Sequence, residues 1–366
     1  MPGPALQPGL LALARTISDG CTQCRACQYR CAFLNEQGSP GKLAERLLET
    51  GRGRALAFEC SLCGLCRTVC PIRLPLTEFF LAMRRAAVEA DRVDMAPYRG
   101  LLGYEAVGAS QLFRLVHLPA GGDAVFFPGC TFPGAHPATA RALLAHLRAS
   151  VPRLGVVMGC CFKPSHDLGR QDFFLRRFGS LRRELLDRGI ATILTACPNC
   201  HKVFKEYGDG LAVRTVFETL DRFPVNGRPK ARGTAIAHTP CPYREEEGIQ
   251  EIIRRMTEST GIELEKTRHD GAASPCCGEG GAVGALHPEY AEGWAGKTAE
   301  KAGGRLVVTT CAGCVKFLSA RTRAAHLLDL AFFPREAATG TLQRPEGMAA
   351  YLHRLLFKFR ARFELD

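Results

Sequence analysis

Beyond residue 121 the chain alternates short apolar runs with longer stretches whose apolar positions recur every three or four residues. The short runs read as buried strands and the longer ones as amphipathic helices, the texture of α/β structure. The runs are DAVFFPGC at 123–130, GVVMGCC at 155–161, ATILTACPNC at 191–200, GTAIAHTPC at 233–241, AASPCC at 272–277 and RLVVTTCAGC at 305–314. Helical spacing marks RQDFFLRRFGSLRRELLDR at 170–188 and EYAEGWAGKTAEKA at 289–302. In four of the six runs an apolar strand leads straight into a cysteine. Intervals of 29 and 35 residues separate the first half's cysteine groups, and 34 and 33 separate those of the second. A repeat on this scale predicts two similar α/β units, at 121–228 and 229–335, facing one another. Ligands of such folds sit at the carboxyl ends of the strands, where these cysteines fall.

The first 120 residues have a different texture. Residues 1–20 hold a short apolar patch without a basic lead or a small-residue cleavage site, and are expected to be an uncleaved leader on a cytoplasmic protein. Residues 21–75 contain eight cysteines and little else that would form a core. LTEFFLAMRRAAVEA opens a stretch of helical pattern over 76–120, expected to be a connector. The tail, 336–366, carries MAAYLHRLLFKFRARFELD, an amphipathic basic helix. It is expected to pack on its own domain with its basic face in water; docking on a partner or an anionic membrane is the alternative. No run of eighteen apolar residues suggests a membrane span. Peripheral attachment at the inner membrane through a partner remains open.

Eighteen cysteines change the picture. Disulfide scaffolds are short, loop-rich and secreted, whereas these cysteines cluster at metal-ligand spacing in a long patterned chain. CTQCRACQYRC at 21–31 and CSLCGLCRTVCP at 60–71 each read C-x2-C-x2-C-x3-C, the spacing of two-cluster bacterial ferredoxins. Three cysteines wrap one cube and the fourth crosses to the other. Cys21, Cys24, Cys27 and Cys70 are therefore expected on one [4Fe-4S] cubane, and Cys60, Cys63, Cys66 and Cys31 on the second. Two zinc sites are the competing reading. Ala32 stands where proline usually follows the first motif.

The other ten cysteines form two sets, Cys130, Cys160, Cys161, Cys197, Cys200 and Cys241, Cys276, Cys277, Cys311, Cys314. Each is one lone cysteine, a vicinal pair and a CxxC. Five thiolates are one too many for a tetrahedral ion, and adjacent cysteines diverge, so a multi-iron cluster suits them. A structural zinc on a subset, or a redox-active vicinal disulfide, is the alternative. The formal net charge of +12 would otherwise suggest nucleic acid. Four such clusters carry about −10 in formal charge with their thiolates, so the basic excess reads as compensation for buried anions. No nucleic-acid partner is expected.

The vicinal pairs, with their upstream cysteines, downstream CxxC units and TACPNCHKVFKEYG at 195–208, resemble the cysteine-rich CCG domains of heterodisulfide reductase. A ferredoxin module followed by two such domains is similar to the layout of that enzyme's catalytic D subunit, over about residues 15–335. Iron–sulfur subunits of glycolate and lactate oxidase complexes share it. The resemblance implies that each five-cysteine set holds a non-cubane [4Fe-4S] cluster and that a disulfide is cleaved between them. It also implies an α+β and α/β fold with a helical ferredoxin-type module ahead of two facing CCG domains. Phe162, not glycine, follows the first vicinal pair, which puts the backbone turn there in question; PCCGEGGAVG fits better.

His166, His201, Lys202, His238 and Tyr243 lie within a few residues of these cysteines. They are expected to hydrogen-bond cluster sulfurs or hand on protons, and no catalytic side chain is assigned. The expected activity is that of an iron–sulfur oxidoreductase subunit reducing a disulfide or oxidising thiols. The alternative is a pure electron carrier between a flavin dehydrogenase and a quinone-linked partner. On either reading the partner would be a flavoprotein, a ferredoxin or a membrane cytochrome or quinone module; the oxidoreductase would also take a small disulfide or thiol as substrate.

Overall fold

The computed structural model describes residues 6–91 and 93–363. The first α/β unit is a five-stranded sheet of β1 (Leu115–His117), β2 (Ala124–Phe127), β3 (Gly155–Met158), β4 (Thr192–Thr195) and β5 (Ala212–Thr215) in the order β1-β3-β2-β4-β5. All neighbours are parallel except β1, which runs antiparallel to β3. The second unit is all parallel, with β6 (Gly233–Ala237), β7 (Ile262–Leu264), β8 (Leu306–Thr309) and β9 (Ala324–His326) in the order β7-β6-β8-β9. Without the extra β1, the two sheets have one topology. β2, β3 and β8 are buried along their whole length, as parallel strands covered on both faces by helices must be. In both sheets the chain leaves the central strand to one side and returns on the other, so the carboxyl ends of β2 and β4, or of β6 and β8, flank a switch point.

AASPCC does not form a strand. β7 ends at Leu264, and a 3-10 turn at Gly271–Ala273 precedes the second vicinal pair. Two expectations about the N-terminal region also change. The helix Pro8–Gly20, within the expected leader, buries Leu10, Ala14 and Ile17 against the helices Pro40–Thr50 and Leu76–Glu89. The latter contributes Phe79, Phe80 and Met83 to the same core, so the expected connector helix is part of the module's interior. Residues 21–75, expected to hold little that would form a core, contribute Phe33, Leu34, Leu43, Leu47 and Leu74 to it, and the flanking helices complete the apolar interior that a small fold needs. β1, at the end of the same stretch, belongs to the first sheet.

Arg84 locks the three parts together. It is fully buried, and its guanidinium donates to the carbonyls of Ala57, Phe58 and Cys60 in the module, of Asp167 in the first unit and of Gly281 in the second, at 2.6–3.3 Å. A guanidinium has five N–H groups, and five bonds are made.

The C-terminal helix Gly347–Phe363 returns to the first unit, packing on the helices Phe132–Ala135 and Pro137–Ser150. Its water-facing side is not simply basic. Arg354 is buried and donates to the Gly108 carbonyl, while Met348, Leu352, Leu356, Phe359 and Phe363 stand exposed at helical spacing beside Arg360 and Arg362. No helix among the described residues is long and apolar enough to cross a membrane.

Candidate electron-transfer site

In the N-terminal module the two cysteine loops share one backbone device. Gln23 and Arg25 in the first, and Leu62 and Gly64 in the second, take left-handed φ angles of 50–73° two and four positions after the first cysteine. Left-handed turns curl each loop around a centre, and non-glycine residues adopt them only where the surroundings impose it. One cavity is walled by Cys21, Cys24, Cys27 and Cys70, and a second by Cys31, Cys60, Cys63 and Cys66. Each thus gathers three cysteines of one motif and the fourth of the other. Burial and the neighbouring Cys21 push the Cys27 thiol up to about 11; burial and Cys31 push Cys60 up to about 12. Thiols crowded this closely resist ionising together, and iron relieves that by taking the place of the protons.

In the first α/β unit Cys130 follows β2, the pair Cys160–Cys161 follows β3, and Cys197 and Cys200 straddle the start of the helix Pro198–Tyr207 after β4. Cys130 touches Cys160, and Cys200 touches both Cys161 and Cys197. Tyr104 reaches this set through Thr131, at 3.1 Å between their hydroxyl oxygens. Phe162 has the left-handed conformation (φ 58°) that glycine has at Gly278 (φ 101°). Their amides donate to the Sγ atoms of Cys160 at 3.3 Å and of Cys276 at 3.4 Å. The first vicinal pair therefore has the same turn as the second, although phenylalanine occupies it. Phe162 is held there by Phe173 and by the Arg177 guanidinium over its ring.

In the second unit Cys241 touches Cys276, Cys276 touches Cys277, and Cys277 touches Cys314, which touches Cys311. Within each set one thiol is drawn down and its neighbour pushed up: Cys130 against Cys160, Cys197 against Cys200, Cys241 against Cys276, Cys277 against Cys314. The largest cause in each is a hydrogen bond to a neighbouring sulfur, which for Cys200 is Cys161 before Cys197 and for Cys277 is Cys276 before Cys314. Cys63 of the N-terminal module lies against Cys241 and Cys276. The second module cavity and the second five-cysteine set are thereby neighbours in space, although far apart in sequence.

Between the two sets stand Tyr243 and Glu279. Burial, then Cys197, Cys311 and Cys200, raise the Tyr243 phenol well above its usual range. Burial, then Cys277, Cys197 and Cys130, raise the Glu279 carboxyl to about 8. One residue's surroundings therefore include sulfurs of both units. Glu279 packs so tightly on Gly313 that any side chain there would collide with its carboxylate. Sequence reasoning missed Glu279, although its place two residues after Cys277 was a usable signal. It missed Arg84 as well, for which no signal exists.

The expected helper residues divide. His201 accepts or donates at 3.4 Å to Thr195 Oγ1 and meets the Tyr243 ring edge-on. Lys202, exposed, lines a cavity of about 320 Å³ with Asn199, His201, Cys63 and Cys241. His166 is turned to Asp167 (2.8 Å) and Tyr207 (3.2 Å) instead of to a cysteine. His238, 3% exposed, has ligand atoms of Cys277 and Cys314 within 4.8 Å.

The residues present fit iron–sulfur groups. Around the second set the hydroxyls of Thr309 and Thr310, and between the sets that of Tyr243, are buried without a protein partner, while the His238 ring is turned to the Cys277 sulfur. Buried polar groups are rarely left so unless something else satisfies them. An all-thiolate donor set of four or five selects iron–sulfur chemistry over hard cations.

Comparison with known proteins agrees with this reading. The profile of the 4Fe-4S dicluster domain matches residues 17–74, and that of the Cysteine-rich domain matches 124–205 and again 235–319. The chain is 27% identical over 337 residues to the B subunit of a fumarate reductase (CoM/CoB) from Methanothermobacter marburgensis. That alignment takes in 81% of this chain but 66% of the relative's length. It is 29% identical over 101 residues to lactate utilization protein B of Macrococcus caseolyticus, covering 25% of this chain and 21% of the relative.

Proposed function

We propose that this chain, an iron–sulfur electron-transfer subunit related to the heterodisulfide reductase-like proteins, takes electrons in through its ferredoxin module and delivers them to a disulfide at its paired cysteine-rich sites. Cys21, Cys24, Cys27 and Cys70 hold one [4Fe-4S] cubane, and Cys60, Cys63, Cys66 and Cys31 the other. Cys130, Cys160, Cys161, Cys197 and Cys200 hold a non-cubane [4Fe-4S] cluster, as do Cys241, Cys276, Cys277, Cys311 and Cys314. Bound there, these clusters supply one-electron storage at successive stations and, in the paired sets, iron with affinity for thiolate sulfur.

The observation that carries the reading is the contact of Cys63 with Cys241 and Cys276, which makes the module and the second set one continuous path. Reducing RS–SR′ takes two electrons and two protons, breaks the S–S bond and yields RSH and R′SH. Two electrons come singly from a partner protein, whether flavoprotein, ferredoxin or quinone-linked cytochrome. Tyr243 and Glu279, kept protonated by burial between the sets, are placed to hold protons where two thiolates would form. Asn199, His201 and Lys202 line the entry that reaches Cys241.

A second reading, a pure electron carrier between a flavin dehydrogenase and a quinone-linked partner, draws on the same cavity. Its wall includes Cys241 but not the cysteines of the first set. The test is anaerobic disulfide reduction driven by reduced viologen, with wild type and with Cys161→Ser and Cys277→Ser. The paired-site reading expects activity in wild type and less than about a hundredth in either variant. Wild type that is inert towards disulfides yet reduces a partner supports the carrier. Cys70→Ala is expected to remove the cubane of Cys21, Cys24 and Cys27 and leave its neighbour.

A further inference from the structure

The two cysteine-rich units share topology, cysteine order and the turn after the vicinal pair, yet they differ at one buried position beside the sulfurs. Three residues before Cys130 stands Phe127; three residues before Cys241 stands His238. The sheet register makes the two positions equivalent in space as well. Phe127 pairs with Thr195, two residues before Cys197. Ala237 pairs with Val308, which places His238 opposite Thr309, two residues before Cys311. In the first unit Phe127 is buried against Phe204, ring centres 5.0 Å apart, within the apolar cluster that includes Cys160, Cys161 and Cys200. In the second unit the same place holds an imidazole, 3% exposed, that is turned to the Cys277 sulfur and has no nitrogen or oxygen partner among the described residues. Its ligand nitrogen and the sulfurs of Cys277 and Cys314 lie within 4.8 Å of one another.

We infer that His238 donates an N–H hydrogen bond to the sulfur face of the second five-cysteine cluster, which makes the two paired clusters unequal and gives the second the higher reduction potential. The inference rests on the proposed cluster assignment. A neutral imidazole always has one N–H and one bare nitrogen, so a donor is present whatever its charge. Ligation of iron by His238 is the weaker alternative, because the first unit offers the same five cysteines with phenylalanine at this place. What the cluster needs for binding is therefore complete without a nitrogen. A hydrogen bond to a cluster sulfur stabilises the added electron, and hydrogen bonding to the sulfurs and solvent exposure are levers by which proteins set these potentials. In a dry interior the effect is stronger than it would be in water. The consequence is directional: with Cys63 against Cys241 and Cys276, the first paired station electrons meet is also the one that holds them more firmly.

The test uses anaerobically purified full-length protein. Redox titration followed by electron paramagnetic resonance, with iron counted, compares wild type, His238→Phe and His238→Gln. His238→Phe is expected to keep the wild-type iron content and to lower the midpoint of one paired-set signal while the other three stay. His238→Gln, which retains an N–H, is expected to recover most of the shift. Unchanged midpoints in His238→Phe at full iron content overturn the inference, as does iron loss in both variants. Because a variant can fail to fold, wild type labelled with 15N-histidine provides a second measurement by pulsed resonance. A weak 15N coupling on one reduced paired-set signal is expected. Absence of coupling, or the strong coupling of a directly ligated nitrogen, overturns it. Wild-type iron near half the amount expected for four clusters would instead show that the cluster assignment itself fails.

Discussion

The two cysteine-rich units began from one plan and diverged where they meet the rest of the chain. Each has a central strand flanked in the same order, a lone cysteine after it, a vicinal pair and a CxxC at a helix start. The first unit surrounds its cysteines with aromatic rings: Phe127, Phe162, Phe174, Phe178 and Phe204 share one apolar cluster with them. The second surrounds its cysteines with polar groups, among them His238, Thr309 and Thr310. It alone has the module's Cys63 in contact. The difference teaches that a repeat with equal cysteine sets need not give equal surroundings; on the cluster assignment proposed above, those neighbours are what would tune the two stations apart.

The largest effect that would break or sharpen this comparison is in the order of reduction. If electrons pass from the module to the second set and then the first, Cys277→Ser should silence both paired-set signals on the millisecond scale. Cys161→Ser should silence one. Freeze-quenched resonance after mixing with reduced viologen reads this, and rapid reduction of the first set in Cys277→Ser would show an independent route.

Next in size is Arg84, whose five bonds join module and both units. Replacing it by methionine leaves five buried carbonyls without their donor, and removing one side of a buried network typically costs about 3–5 kcal/mol. Chemical unfolding should show a loss of that size, with the module separating first. A variant within about 1 kcal/mol of wild type would mean that the apolar contacts alone hold the three parts.

The turns after the vicinal pairs differ less. A Cβ on Gly278 would meet the Ala291 carbonyl oxygen at 2.5 Å, and its φ of 101° disfavours any side chain. Gly278→Ala should cost about 2–3 kcal/mol. Phe162→Gly relieves a left-handed conformation by about 1 kcal/mol but forfeits a buried ring, and should also lose about 2 kcal/mol. Thermal unfolding of both variants checks the pair, and a stabilised Phe162→Gly would show that the ring contributes nothing.

Much of this architecture was legible from local pattern. The apolar runs at 123–130, 191–200, 233–241 and 305–314 contain β2, β4, β6 and β8, because parallel strands buried on both faces read as continuous apolar segments. The helix pattern at 170–188 contains the helix Gln171–Asp187 for the complementary reason, a single apolar stripe of Phe174, Phe178, Leu181 and Leu185. What was not legible depends on distant neighbours. Nothing local to Arg84 or to Pro8–Gly20 announces a partner, and the contact of Cys63 with Cys241 spans the chain. Phe162 misled for a related reason: the turn it adopts is enforced by Phe173, Arg177 and the Cys160 sulfur, not by its own preference.

The smallest expected effect lies at the far edge of the two sheets, where β5 and β9 end at equivalent positions, Thr215 opposite Thr195 and His326 opposite Thr309. Thr215 starts its helix with a reciprocal cap, its hydroxyl accepting from the Glu218 amide at 3.2 Å while its own amide donates to the Glu218 carboxylate at 2.6 Å. His326 does the same work with a ring nitrogen, Nδ1 accepting from the Leu328 amide at 3.1 Å. An imidazole in that role has to stay neutral. Burial lowers His326 to about 3, with His136 and Arg344 adding to the shift and Asp329 opposing it. The unfolded chain binds this proton below about 6.5, and the folded chain does not until about 3. Stability therefore falls as pH drops through that window, by about 1.4 kcal/mol per unit once below 6.5. His326→Thr installs the first unit's residue and should remove about one proton from the slope between pH 5 and 6.5, where thermal unfolding is read before acid attacks the clusters. A slope equal to wild type would assign the acid sensitivity to other groups and leave the two caps interchangeable. A flattened slope would make the second unit the one through which acid enters the fold.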